Sequence, residues 1–350
     1  MFQSNQTSFI KIDHKKTYCM RAKSIKGRTP EELRDEIKQS MTDGFTPTLA
    51  IAFVSIYQDR KSIRQIFNDL GIAVFGATTN GAFLDESVER ESAAILLFEI
   101  DPALFTLGFR EYPEKNYRET AADLARQAQE KIKHPAFLIA GCHTETDAEQ
   151  LLFGFEDVIG KAVNIHGCMA GDDFAFNEQF VFTNDAETSR GLIMLAFDED
   201  KMEIKGRATC GWHAVGTVRT VTKSEGNHVY TVDDIPVLDL TAKYGGLQLS
   251  PDDGSFSIEV ASQFPLQLQR EKGDPVMRPG LLVDWNDHSF YCSGTVPQGS
   301  KVRFSLPPDF DVIEKVIAGC EDLKANDIPD ADALIIFSCA GRLIALGPLI

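Results

Sequence analysis

Apolar runs of strand length recur along the chain, each set beside a segment with helical periodicity. The run TLAIAFVS (48–55) is followed by DRKSIRQIFNDLG (59–71), where Ile63, Ile66, Phe67 and Leu70 fall at i, i+3, i+4 and i+7. That spacing predicts an amphipathic helix, with Asp59 placed to cap its start and Gly71 its end. IAVFGATTNGAFLDE (72–86) reads as a strand entering a loop of small residues, and SAAILLFEI (92–100) as a further strand. The same order returns in a second copy. AFLIAGC (136–142) leads to a helix over TDAEQLLFGFEDVIG (146–160), opened by a Thr146…Glu149 capping box and closed at Gly160. The small-residue segment VNIHGCMAGDD (163–173) and the strand GLIMLAFDED (191–200) follow. Both late strands end on a Phe-acid pair, Phe98-Glu99 and Phe197-Asp198.

A third opening, ALIIFSC (333–339), aligns with AFLIAGC so that Cys339 corresponds to Cys142; no helix or glycine loop is expected after it. Helix-like segments at 30–43, 117–133 and 311–325 precede the three openings. Between the second and third copies, roughly 203–306 is β-rich, with hairpins expected to turn at Gly226-Asn227 and Asn286-Asp287. The pattern predicts an α/β fold in which repeated strand-helix-strand units form sandwiched sheets, with a β-rich insert or second domain. The expected division is an N-terminal α/β domain over 1–200 and a C-terminal β-rich domain over 201–350.

Composition narrows the partners. A net charge of −17, with no basic run beyond HKK at 14–16, speaks against nucleic acid. No run approaches the ~18 consecutive apolar residues of a membrane span, and the N-terminus lacks a signal-peptide core. A cytoplasmic protein without membrane insertion is expected. The seven cysteines (19, 142, 168, 210, 292, 320, 339) are odd in number and contain no CxxC pair, which suits reduced thiols rather than disulfides or a zinc knuckle.

Three segments carry candidate chemistry. Gly76–Gly81 brackets Ala-Thr-Thr-Asn after an apolar run, so backbone N–H groups and the hydroxyls of Thr78 and Thr79 could cradle a carboxylate or phosphate. The alternative is a tight strand connection. The loop is neither a P-loop nor a dinucleotide fingerprint, and no cofactor is expected. Gly171-Asp172-Asp173 offers carboxylates to a ligand amine, or a turn capped by Asp172. His166 and Cys168 lack the further ligands a metal needs. In FSCAGR (337–342), Cys339 is either a nucleophile, with His143, His166 or His213 as base, or a small buried thiol. Arg342 sits among apolar residues and needs an acid such as Asp172 or Asp332, or a ligand carboxylate. Trp212, His213 and WNDHSFY (285–291) suit a hairpin core or a pocket wall.

The order of four segments resembles the FIST-domain sensory family, N-terminal part followed by C-terminal part, over about residues 45–350. VFGATTNGAFLDE (74–86) is similar to the family's Gly-Cys-Ser-Thr-x-Gly-Glu loop, and IHGCMAGDDFAFNEQFVFTN (165–184) to its Gly-Gly-x-Ala-(Gly/Ala)-Asp-Asp segment. GTVRTVTKSEGNHVYTVDDIPVLDLTAKYGG (216–246) resembles the junction, and DPVMRPG with ADALIIFSCAGRLIALG (331–347) the Ser-Cys-x-Gly-Arg end. Two departures stand out: Gly76-Ala77-Thr78-Thr79 removes the family's loop thiol, and the second Gly-x-x-Thr-x-Gly-Glu loop is not found. The resemblance implies a small-ligand sensor, amino acids being the proposed class, working with a signalling protein such as a histidine kinase or chemotaxis-type receptor. The expected ligand residues are Arg342, Ser338 and Cys339 with Gly76, Thr78, Thr79, Asn80, Gly81, Gly171, Asp172 and Asp173. The rival readings are a Cys-dependent hydrolase or transferase using Cys339 or Cys168, and a ligand-free interaction scaffold.

Overall fold

The computed structural model describes residues 7–14, 20–84, 87–112, 114–175, 177–246, 248, 250, 264–271 and 273–346. Lys15 and Lys16 of the basic run, residues 85–86 of the first loop segment and Gly347 of the closing motif lie outside the described residues. The chain opens with β1 (Thr7–His14). A first unit follows: β2 (Arg21–Gly27), α1 (Pro30–Ser40), β3 (Leu49–Val54), α2 (Arg60–Leu70), β4 (Ala73–Thr78), the hairpin β5 (Ala82–Leu84) and β6 (Ser87–Glu89), then β7 (Ala93–Glu99). The second unit repeats the order. It runs β8 (Phe105–Glu111), α3 (Tyr117–Gln129), β9 (Pro135–Gly141), α4 (Ala148–Ile159), β10 (Ile165–Met169), β11 (Val181–Phe182), β12 (Glu187–Thr188) and β13 (Gly191–Asp198).

After β14 (Met202–Thr209) comes the β-rich part: β15 (His213–Glu225), β16 (His228–Val232), β17 (Ile235–Pro236), α5 (Val237–Gly245), β18 (Leu266–Leu268), β19 (Val276–Arg278), β20 (Gly280–Asp284), β21 (Ser289–Cys292) and β22 (Lys301–Leu306). These strands form one 8-stranded sheet. Trp212, Phe290 and Phe304 are buried there, and Trp285 packs against its core, so these aromatics are hairpin core. Both expected hairpins are present, turning at 226–227 and 285–288. The chain then returns through α6 (Asp311–Asp322), β23 (Ala333–Phe337) and α7 (Ala340–Leu346). A helix therefore does follow the third opening, contrary to expectation.

The repetition in sequence is a repetition in topology. The first sheet contains the order β4-β3-β7-β2 and the second is β10-β9-β13-β8. In each, the opening strand is parallel to the strand after its helix and antiparallel to the late strand. A third, three-stranded sheet has the order β14-β1-β23. All three sheets face one core. Leu49, Ile51 and Phe75 of the first meet Leu138, Ala140 and Phe197 of the second and Ile204 and Ile335 of the third. Alternate residues point outward, because successive strand side chains leave opposite faces. Ala50, Ala52 and Val54 thus pack under α1 and α2, and Phe137 and Ile139 under α3 and α4. Burial on both faces explains why the openings read as continuous apolar runs.

α2 is capped by Asp59 and closed by Gly71 in the left-handed conformation, as its periodicity predicts. The start of α4 differs. Its cap is Asp147, whose Oδ1 accepts from the N–H groups of Glu149 and Gln150, while Thr146 donates to the carbonyl of Cys142. Thr146 is held to the strand end and its neighbour takes the cap.

Candidate functional site

The parallel pairs β3/β4 and β9/β10 end on the same side of the molecule, and the segments that leave them meet. The N–H of Ala170 donates to the carbonyl of Gly141, and that of Gly171 to the carbonyl of Thr78. The loop after β4 is then laced to the loop after β10. Thr78 Oγ1 donates to the carbonyl of Gly171 at 2.5 Å and accepts from the N–H of Phe180 at 2.9 Å. Asn80 Oδ1 accepts from the N–H groups of Asp172 and Phe174, at 2.9 and 3.1 Å. The N–H of Thr79 goes to the carbonyl of Val54, and that of Asp173 to the carbonyl of Thr79. Many of the backbone donors expected to cradle an anion are therefore used to join the two loops.

This geometry sorts the sequence candidates. Gly76 lies inside β4 and is required by packing: a Cβ there would sit 2.1 Å from the ring of Phe182. Thr78 is buried as the staple just described. Asp172 is buried too, its Oδ2 accepting from the N–H of Asn177 and from Gln179 Nε2, so it secures the turn. Thr79, Asn80, Gly81 and Asp173 are half-buried at the rim.

Asp173 is built differently from its neighbour. Its Oδ2 accepts from Ser55 Oγ and from the N–H of Ile56, fixing the carboxylate against the end of β3. Its Oδ1 is buried with no hydrogen-bond partner among the described residues. Asp173 and Phe174 both have left-handed backbone, φ 54° and 61°. That conformation costs of order 1–3 kcal/mol for a residue such as Phe and clusters at functional sites. The arrangement leaves a buried acceptor oxygen, its carboxylate fixed in direction by Ser55 and Ile56, of a kind that an ammonium or hydroxyl donor satisfies.

The third strand end is adjacent but turned elsewhere. Phe337, the last residue of β23, meets Phe53 of β3 edge to face at 5.5 Å, and Ser338 follows it as an exposed residue. Arg342 is buried, and its Nη2 donates to the carbonyl of Thr209 at the end of β14, 3.1 Å away. Burial lowers its pKa, and Cys339 and Cys210 are its polar neighbours. The guanidinium thus joins the ends of β23 and β14 on either side of β1. Burial pushes the thiol of Cys339 up, and those of Cys142 and Cys168 to about 12. His143 faces Arg190, and His166 Nε2 donates to Asn164 Oδ1, its pKa pushed down by burial to about 4. This is the reverse of an activated Cys–His pair, which needs a depressed thiol pKa.

Sequence reasoning missed Ser55. The available signal was positional: Ser55 follows β3 as Cys142 follows β9, the N–H of each donating to a carbonyl where the late strand begins, that of Ser92 or Gly191. Also missed was the contact with the β-rich part. Thr295 donates to both carboxylate oxygens of Asp147, from N–H at 3.1 Å and Oγ1 at 2.6 Å. The N–H of Ala148 donates to the carbonyl of Ser293, and the buried Arg278 lies 2.7 Å from Glu149. The helix that follows the second opening is thereby clamped to the 8-stranded sheet.

Among the described residues no helix is long and apolar enough to cross a membrane. No characterised protein and no solved structure matches the chain. The family model described as the FIST N domain matches residues 48–235 and that of the FIST C domain residues 242–350, the two meeting inside the β-rich part. The matches span nearly all of the repeated units and the closing strand, and the chain belongs to the FIST family, whose domains are associated with sensory and signal-transducing roles.

Proposed function

We propose that this chain is a non-enzymatic sensor for a small amine-bearing metabolite of the amino-acid class, bound where the loops after β4 and β10 meet. The observation that carries this is Asp173: its carboxylate is anchored by Ser55 and Ile56 through one oxygen, while the other is buried without a partner among the described residues. A ligand ammonium would give that oxygen the charge-assisted bond it lacks. Thr79 and Asn80, at the same rim, would meet the ligand's polar atoms. Arg342 is buried beside Thr209 and would have to be uncovered to meet a ligand carboxylate. The raised thiols favour the sensor over a Cys-dependent hydrolase or transferase. Binding would be passed along β9 and α4 to the clamp at Asp147 and Thr295, altering how the β-rich part is held and what a signalling partner reads.

The test is a thermal-shift and calorimetric screen of amino acids and their decarboxylated amines against the full chain. The reading expects at least one amine to raise the melting temperature, with the effect lost in Asp173→Asn. It fails if no amine binds, or if Asp173→Asn binds as the parent does. A preference for the amino acid over its amine, abolished in Arg342→Ala, would assign the carboxylate to Arg342.

A further inference from the structure

The second unit carries a group of side chains, beyond the ends of β8 and β9, that the candidate site does not use. β9 ends at Gly141 and β13 begins at Gly191, paired so that Leu192 faces Gly141. Continuing that register puts Arg190 opposite His143, and Arg190 Nη2 lies 3.0 Å from His143 Nε2. Both residues are held by their backbones. Arg190 donates its N–H to Thr188 Oγ1 and accepts at its carbonyl from the N–H of Tyr112, the residue after β8. The carbonyl of His143 accepts from the N–H of Thr146, and its φ of 88° is left-handed. Lys115, in the connection from β8 to α3, pairs with Glu145 at 3.0 Å and lies over the ring of Tyr291 in the β-rich part.

The hydrogen bonding of His143 does not close. The N–H of Glu145 donates to His143 Nδ1 at 3.3 Å. A neutral imidazole has one N–H and one accepting nitrogen, so with Nδ1 accepting, Nε2 carries the proton. That Nε2–H then meets a guanidinium, which has only donors. In the other tautomer Nε2 accepts from Arg190, but Nδ1–H is set against the N–H of Glu145. Protonating the ring would make both contacts donor to donor, and burial, with Arg190 beside it, holds the His143 pKa below its usual value. An oxygen acceptor between Nε2 and Nη2 would serve both donors at once. Among the described residues no carboxylate pairs with the exposed Arg190 guanidinium.

Charge selects among acceptors. Lys115 and Glu145 offset each other and His143 is neutral, so Arg190 leaves one positive charge over. A monoanion matches it, and the planar fork of arginine suits a carboxylate. A phosphate dianion would bring a second negative charge close to Glu145.

We propose that Arg190 and His143 bind a small monocarboxylate, with Lys115 at the rim. Nη2–H and Nε2–H would donate to the carboxylate, while Nδ1 keeps its bond from Glu145. The carbonyl of Glu145 accepts from Asn227 of the β-rich part, so an occupied site would steady the same junction that Asp147 and Thr295 hold. None of these residues belongs to the loops joined after β4 and β10, and the inference stands whether or not an amine binds at Asp173.

The experiment is nuclear magnetic resonance of the full chain, labelled with nitrogen-15 in histidine and arginine and titrated with acetate. Ionic strength is held constant, because salt screens exposed charges. Acetate has no amine and cannot serve Asp173. We expect one imidazole to shift with saturation, its proton on Nε2, and one arginine signal to follow with the same midpoint. The imidazole is identified by its loss in His143→Asn, since asparagine tolerates left-handed backbone. Arg190→Gln should weaken acetate binding about tenfold or more, the effect of losing a charge-assisted bond. The proposal is overturned if acetate gives no saturable shift, or if Arg190→Gln binds it as the parent does. Chloride acting equally would reveal an unselective cationic surface, and inorganic phosphate binding more tightly than acetate would reveal a dianion site; either result overturns it too.

Discussion

Replacing Asp147 by alanine tests the link between the candidate site and the β-rich part. The carboxylate caps α4 and holds Thr295 through two further bonds. Loss of the cap costs about 1 kcal/mol. Thr295 is then left with a donor N–H and hydroxyl facing no acceptor, which adds about 1–3 kcal/mol. The total is about 2–4 kcal/mol, a fall in melting temperature of roughly 4–16 °C at ~2–4 °C per kcal/mol. Asp147→Asn should lose less than about 1 kcal/mol, because the amide oxygen keeps the three N–H bonds and the Thr295 hydroxyl can turn to accept. The pH dependence separates both variants from the parent. Burial raises the Asp147 pKa, so its favourable contribution is complete below the unfolded value and is lost as pH rises through the folded one. Both variants should lack that slope. Urea titrations at several pH values, followed by far-ultraviolet dichroism and tryptophan fluorescence, provide the readout. Both tryptophans, Trp212 and Trp285, report on the β-rich part, so a weakened clamp should also separate the two transitions. Reasoning from the clamp is refuted if Asp147→Ala stays within about 0.5 kcal/mol of the parent, or if Asp147→Asn is equally damaging.

Three further outcomes are expected. Gly76→Ala places a Cβ against the ring of Phe182 and should destabilise by about 1–3 kcal/mol; adding Phe182→Leu should recover part of the loss, and simple additivity of the two would contradict the packing. Burial holds Cys142, Cys168 and Cys292 at about 12, leaving roughly one thiolate in ten thousand at pH 8, so a disulfide reagent should modify them only after unfolding. Rapid modification of Cys168 in the native chain would reopen the enzyme reading. His166, pushed down to about 4 from the usual 6.5, binds its proton more readily in the unfolded chain. Its contribution to stability is therefore complete above the unfolded value and lost as pH falls from 6.5 towards 4; His166→Gln should flatten that part of the profile, and an unchanged profile would count against its burial.

Much of the fold was legible because the strands are buried on both faces. Ala50 and Ile51, or Phe137 and Leu138, point to different cores yet are all apolar, so each opening reads as one run flanked by a helix of clear period. The cap of α4 was ambiguous for a local reason. Thr146 and Asp147 are adjacent and both suited to cap, and the choice depends on the carbonyl of Cys142, which only the folded strand end brings within reach of Thr146. The two loops were legible as special segments but not as each other's partners. Asn80 Oδ1 and Thr78 Oγ1 bind residues some ninety positions away, and no periodicity records such a pairing. Arg342 was read as needing an acid or a ligand carboxylate; one bond it makes is to a main-chain carbonyl, which every residue possesses and no sequence pattern marks.

The same distinction explains why three openings were visible while the third sheet was not. A unit is legible when its strands and helices follow one another, as β2 to β7 and β8 to β13 do. The third unit is divided: β14 is separated from α6 and β23 by the whole β-rich part, and β1 comes from the other end of the described chain. Its members are brought together by tertiary pairing, which sequence separation hides. Division also has a functional consequence. The segment inserted between β14 and α6 is the sheet that grips Asp147, and Arg342 ties the two sides of that insertion together at Thr209. The end of β23 and the cap of α4 are therefore connected through the inserted sheet, with Thr209 and Thr295 as the points of attachment.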